Sequence, residues 1–258
     1  MKTTTITVAD TTPVWTITLN RPERRNAMTP GMQMELIAAM EAAAVGDCRV
    51  LVFAGAGDAF CSGLDLSALQ GMSGLSAAEH RADAERVSRL FRTLHELPVP
   101  TIAAVHGAAV AGGTGLATIC DFTLATPAAK FGFTEARIGF VPALVSAYLT
   151  LQVGDKRSRD LLLTARIFDA TEAYRLGLVN EVVASEKLAE RVQALAESLM
   201  ANSPQALAAT KRLLAAQNKA WLDAAIEAAL EANAGARETA DFREGVAAFL
   251  EKRKAAWK

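Results

Sequence analysis

Through about residue 184 the chain alternates short apolar runs with stretches of helical periodicity, and from there on it is helical throughout. Residues 3–8 and Val14-Trp15-Thr16-Ile17-Thr18-Leu19 have period two and flank Asp10-Thr11-Thr12-Pro13. That pattern predicts a hairpin, because alternation puts the apolar side chains on one face. A polar, basic loop follows from Asn20 to Ala27. Thr29 then caps a helix with Pro30 at its first position, and apolar residues continue to Val45. Residues 49–55 form a short buried strand ending in glycine, with a loop over 56–66. Ser76 and Glu79 have capping-box spacing for a helix reaching about His95. Pro98 and Pro100 interrupt the chain before an apolar strand, Thr101 to Val105.

The densest punctuation lies just beyond. Between His106 and Asp121 the chain holds Gly107, Gly112, Gly113 and Gly115, then runs into small apolar residues. Glycines at this density let a backbone turn sharply and approach a ligand closely, and a strand-turn-helix junction leaves amide N–H groups unpaired. Another strand is expected at Phe122 to Ala125. Residues 130–142 are irregular, and residues 145–163 make two helical segments broken at Gly154-Asp155. Asp169 and Glu172 have capping-box spacing before a short helix ending at Gly177, and Leu178 to Val183 is a last strand. Ser203-Pro204 starts one late helix, and Asp241 with Glu244 caps another. Residues 1–184 thus predict an α/β core with parallel pairings, and residues 185–258 an all-helical region. The alanine-rich faces of that region suit oligomerisation and packing on the chain's own core equally.

Composition narrows the function. With 258 residues and 51% of them hydrophobic, a sizeable core can be buried. Net charge is −1 with Lys and Arg scattered, which argues against a nucleic-acid partner. Cys48, Cys61 and Cys120 are odd in number and irregular in spacing, and His80, His95 and His106 do not cluster with them. No disulfide framework and no metal site are expected, and a reducing compartment is. The N-terminus has no apolar core of signal-peptide length, and no apolar run has membrane-spanning length. The expectation is a cytoplasmic protein with no membrane partner.

Two glycine loops carry the candidate chemistry: Ala59-Phe60-Cys61-Ser62-Gly63-Leu64-Asp65-Leu66 and Ala111-Gly112-Gly113-Thr114-Gly115. Each follows a strand and each can offer an amide. Two converging amides make an oxyanion hole, whereas either loop alone is only a turn.

In this order and context the loops resemble those of the crotonase (enoyl-CoA hydratase/isomerase) superfamily. Asn20-Arg21-Pro22 with Asn26-Ala27 is similar to the family's opening signature. Phe60 to Leu66 is similar to its first oxyanion loop, and Ile102 to Gly107 followed by Ala111-Gly112-Gly113 to its second. Ala129 to Glu135, through Gly139 and Pro142, resembles its acid/base segment, and Glu244 to Arg253 its C-terminal tail. The resemblance covers nearly the whole chain. It implies an α/β spiral of strand-strand-helix turns with a C-terminal helical trimerisation region, in a homotrimer or a homohexamer made of two trimers. It implies an acyl-CoA thioester as substrate, with coenzyme A part of that substrate and no separate cofactor. The thioester oxygen would be held by the Leu64 and Gly112 amides, with Glu135 as acid/base. Cys61, Ser62, Gly63, Asp65, Leu66, Gly113 and Thr134 would help to bind the acyl-CoA substrate. Arg24, Arg25 and Ala27 would lie near the coenzyme A phosphates, and Phe249 and Lys252 would reach a neighbouring subunit's coenzyme A.

Plainer readings stand beside these. Glu135 can be a surface glutamate, Arg24 and Arg25 solvated loop charges, Phe249 a core aromatic and Lys252 a surface charge. Asp65 suits bracing the loop better than acting as a base. Cys61 has no basic neighbour in sequence, so a packed cysteine is expected. A Ser62–His106–Asp121 triad has nothing in the sequence to support it.

Two departures from the family pattern direct the chemistry. Hydratases of the family carry a glutamate two residues after the second glycine pair; here that position is Gly115. One carboxylate can take a proton from one carbon and return it to another, so the departure tilts the expectation towards double-bond isomerisation. Hydration with the single glutamate is the alternative. A scaffold that binds acyl-CoA without turnover is a rival, and a hydrolase a weaker one. The second departure is Val141-Pro142-Ala143-Leu144-Val145-Ser146, where many hydratases have a glycine run. Its Leu and Val side chains are expected to reshape the acyl pocket. Residues 31–45 contain no Lys or Arg, unlike the lysine-rich RNA-binding helix of some members.

Overall fold

A computed structural model describes residues 3–65 and 76–257. The first half contains β1 (Ile6–Ala9), β2 (Val14–Leu19), α1 (Pro30–Val45), β3 (Val50–Gly55), β4 (Ala59–Cys61), α2 (Ala77–Glu96), β5 (Thr101–Val105), β6 (Ala108–Val110) and α3 (Gly112–Ile119). There follow β7 (Phe122–Ala125), β8 (Lys130–Gly132), α4 (Ala143–Thr164), β9 (Ile167–Asp169), α5 (Ala170–Leu176), β10 (Glu181–Val182), α6 (Leu188–Met200), α7 (Pro204–Ala236) and α8 (Ala240–Leu250).

The strands form two sheets, β1-β2-β3-β5-β7-β10 and β4-β6-β8-β9. Only the outer pairs β1–β2 and β8–β9 are antiparallel. Successive pairs β3–β4, β5–β6 and β7–β8 each place one strand in the first sheet and one in the second before helical structure returns the chain. This is the spiral of strand-strand-helix turns that the resemblance implies. Parallel strands covered on both faces are apolar throughout. In β3, Leu51 and Phe53 join the main core with α1 and α2, while Val50 and Val52 meet Leu188, Val192 and Ala196 of α6 on the other face.

Helix starts follow the side chains. Thr29 Oγ1 accepts from Met32 N at 3.2 Å. Ser76 and Glu79 close a reciprocal capping box. The span of α4 breaks where expected: Gly154, at φ 76°, ψ 166°, is non-helical and joins two helical segments across a kink. The structure corrects several boundaries. The expected loop over 56–66 contains β4, and the irregular stretch over 130–142 contains β8 and a 3-10 turn, Glu135–Ile138. Strands of three residues are too short to show a period. The strand expected over 178–183 shrinks to Glu181–Val182, because the Leu178 and Val179 amides close the end of α5 on Ala173 O. Asp169 caps α5, but the Glu172 carboxylate turns to Arg166 instead of completing a box. Thr239, not Asp241, caps α8: its Oγ1 accepts from Phe242 N at 3.1 Å, and Glu244 pairs with Arg253.

Helix α7 buries Leu222, Ile226, Ala229, Leu230 and Asn233 and packs on α2 and α4, so the C-terminal region covers the chain's own core. Its exposed face carries Leu213, Leu214 and Trp221. No helix among the described residues is long and apolar enough to cross a membrane.

Asp121, at the turn into β7, ties strand to helix. Its Oδ2 accepts from Thr101 N at 2.8 Å and Thr101 Oγ1 at 2.9 Å, and also from Lys211 Nζ of α7. Hydrogen bonds to a charged group are the stronger kind. Asp121→Ala is therefore expected to lower the unfolding free energy by about 2 kcal/mol in urea denaturation.

Candidate active site

The basic loop before α1 is a clamp for the first glycine loop. Asn26 is fully buried, and its Nδ2 donates to Ala56 O at 2.9 Å and Ala59 O at 2.8 Å, while its Oδ1 accepts from Arg21 N. Arg21 Nη1 reaches Ala27 O at 2.5 Å and Asp65 Oδ2 at 2.9 Å. Asp65 thus braces the loop, as expected. Ser62 N donates to Arg25 O, Met28 N to Gly63 O, and Asp65 N to Met28 O. Between these bonded groups the Leu64 N–H has no hydrogen-bond partner among the described residues.

The second loop is held as tightly. Ala111 takes the unusual φ 52°, ψ −127°, and its N–H donates to Gly132 O at 2.6 Å. The Thr114 hydroxyl bonds to the backbone of Ala109 and Gly132. The Gly112 N–H, first in α3, is left without a partner, where the helix end adds positive potential. Gly63, at φ +88°, brings the loops together: a Cβ there would meet Ala111 Cβ at 2.9 Å and Gly112 N at 3.3 Å.

Leu64, Gly112 and Glu135 line one cavity of about 260 Å³. Its lining is apolar apart from Arg25, Ser62, Thr134, Glu135 and Asn233. Glu135 opens the 3-10 turn behind β8, and Phe140 beyond that turn packs on Phe242 of α8 with ring centres 5.0 Å apart. Glu135 Oε2 is buried with no hydrogen-bond partner. Burial disfavours the charged form and pushes the carboxyl up to about 7.

Gly115 lies beneath the same cavity. A Cβ there would stand 2.6 Å from Val145 Cγ1 and 3.3 Å from Phe91 Cζ. Val145 and Phe91 both line the cavity, so the space for a second carboxylate is filled by hydrocarbon. Val141 and Leu144 line it too, so the second departure does shape the pocket.

Of the other candidate residues, Arg25, Ser62, Thr134 and Phe249 line the cavity. Arg24 and Lys252 are exposed and do not. Ala27, Cys61, Gly63, Asp65 and Gly113 form the framework behind the loops. Leu66 lies outside the described residues. Cys61 is fully buried, its Sγ bonds to Asn26 O, and burial pushes its thiol up to about 12, so it is a packed cysteine. No Ser62–His106–Asp121 triad assembles: His106 Nε2 pairs with Gly57 O, and Asp121 with Thr101 and Lys211. Val87, Phe91 and Asn233 escaped the sequence reading. Val87 and Phe91 sit on the apolar stripe of α2, which is indistinguishable from core. Asn233 did carry a signal, as a polar residue three positions after Leu230 on the stripe of α7.

A spiral α/β chain with two unpaired amides and one buried carboxyl on a single apolar cavity defines a class, and comparison with known proteins agrees. The sequence model of the enoyl-CoA hydratase/isomerase family matches residues 10–258. A provisionally named enoyl-CoA hydratase of Thermus thermophilus is 44% identical over 236 residues, covering 91% of this chain and 93% of its own. Crotonyl-CoA hydratase of Syntrophomonas wolfei is 35% identical, covering 92% and 91%. The crystal structure of an enoyl-CoA hydratase/isomerase from Xanthobacter autotrophicus Py2 superposes with a TM-score of 0.90 at 32% identity, covering 98% of each chain. The chain belongs to the enoyl-CoA hydratase/isomerase family and has the crotonase fold.

Two stability measurements test this geometry. Burial lifts the Glu135 carboxyl from the usual carboxylate range up to about 7 in the folded state, so the folded state holds its proton more tightly and loses stability as pH rises through that interval. Glu135→Gln is expected to exceed the parent by roughly 1–3 kcal/mol at pH 8, with the gap closing below pH 5. Gly115→Ala is expected to cost about 1–3 kcal/mol through overpacking. In a double-mutant cycle, Val145→Ala should recover most of that loss.

Proposed function

We propose that this enzyme moves a proton along the acyl chain of an enoyl-CoA thioester, converting a 3-enoyl into a 2-enoyl group. The unpaired Leu64 and Gly112 amides suit the thioester oxygen. Donors placed in advance stabilise an enolate oxygen without reorganisation at the moment of reaction. Glu135, poised near neutrality, takes a proton from C2. The electron pair moves onto the thioester oxygen as a dienolate, and the double bond shifts from C3–C4 to C2–C3 as Glu135 returns the proton to C4. Arg25 and Phe249 line the same cavity and would meet the coenzyme A portion; a guanidinium suits its phosphates.

The observation that carries this reading is the hydrocarbon over Gly115. Glu135 is the one carboxylate among the described lining residues, and Val145 with Phe91 occupies the space where a second acid would handle water. The names of the relatives favour a second reading, hydration of the 2-enoyl thioester with Glu135 alone managing the water.

Separate incubations with 3-enoyl-CoA and 2-enoyl-CoA distinguish the two. The expected product of the first is 2-enoyl-CoA, with no 3-hydroxyacyl-CoA from the second; rapid 3-hydroxyacyl formation selects hydration. Glu135→Gln should lower kcat by about 10²–10⁴ while keeping thioester affinity, and an unchanged rate would sink both readings. In the parent, kcat/KM should rise with pH through about 7 as Glu135 ionises to the base form.

A further inference from the structure

The cavity holds a buried polar group that neither the proton transfer nor the fold uses. Asn233 is 5% exposed and lines the cavity from α7. Its Oδ1 is buried without a hydrogen-bond partner. The ion pairs Arg92–Asp223 and Arg237–Asp83 set α2 and α7 antiparallel, and Val87 of α2 lines the same cavity as Asn233. That wall is otherwise hydrocarbon, with Phe91, Ile138 and Phe140 also lining it. A buried amide oxygen without a partner is unfavourable, and asparagine is a poorer helix former than leucine. Leucine, close to asparagine in size, would fill the stripe position with neither disadvantage. Arg237, at the C-terminal cap of α7, already pairs with Asp83 and lies over the Phe140 ring, so that ion pair leaves Asn233 aside.

We propose that Asn233 selects acyl groups that carry a hydroxyl beyond the reacting carbons. A hydroxyl donates to Oδ1 and accepts from Nδ2, satisfying both ends of the amide at once. An oxo group would leave Oδ1 unpaired. A carboxylate would bring a full charge that asparagine does not neutralise in an apolar wall. Asn233 is thus a specificity residue for the thioester substrate, and the inference rests on the thioester reading above without depending on which reaction follows.

Binding of saturated acyl-CoA thioesters tests it, because these ligands need no double-bond chemistry. A plain acyl-CoA is compared by calorimetry with a series bearing the hydroxyl at successive carbons beyond C4. At one position the hydroxylated thioester should bind the parent protein about tenfold tighter than the plain one. Asn233→Leu should erase that preference while binding the plain thioester at least as well. Absence of any preferred position in the parent protein overturns the inference, as does a preference that survives Asn233→Leu. Failure of every thioester to bind overturns both the inference and the thioester reading.

Discussion

Gly63 lies so close to the Ala111–Gly112 peptide that no Cβ fits between them, and the geometry of the site depends on that approach. It requires positive φ at Gly63 and a strained alanine at 111. The surrounding structure holds both in place. Asn26 and Arg21 pin the first loop to the strands behind it, and Thr114 with Gly132 pins the second. The order of strands in the two sheets makes this possible, because β4 and β6 are parallel neighbours and the two loops leave their ends together. The Leu64 and Gly112 amides are left without hydrogen-bond partners at that junction.

The same fold leaves Oε2 of Glu135 without a partner. Its carboxyl opens a short turn supported by α8, and the cavity it lines is largely hydrocarbon. A carboxyl there is protonated more readily than one in water, which would suit the proposed transfer of a proton near neutrality. Val145 and Phe91 over Gly115 remove the position of a second acid. The polar resources of the cavity come down to one carboxyl, a pair of amides and a few side chains, among them Asn233.

Much of this was legible in the sequence, for identifiable physical reasons. Helix caps at Thr29, Ser76 and Ser203 are local chemistry and appear where the spacing puts them. The long parallel strands show as apolar runs. The short strands β4, β6, β8 and β9 stayed hidden, because three residues carry no period and their pairing partners are distant in the chain. Within the site, Leu64, Gly112 and Glu135 were legible through the family motifs around them. Gly115 showed which group is missing, but only the packing showed that Val145 and Phe91 crowd the position of its Cβ. Asn233 was visible as a polar residue on an apolar stripe, yet its lack of a partner is a three-dimensional fact.

The central claim is that one carboxyl carries a proton between two carbons of a thioester without help from a second acid. The most direct measurement follows a label. A 3-enoyl-CoA deuterated at C2 is converted in ordinary water and the product is examined by mass spectrometry and NMR. Transfer by Glu135 alone predicts that part of the deuterium reappears at C4 of the 2-enoyl product. Complete loss of the label to solvent, with a hydroxyl found at C3, would contradict the account.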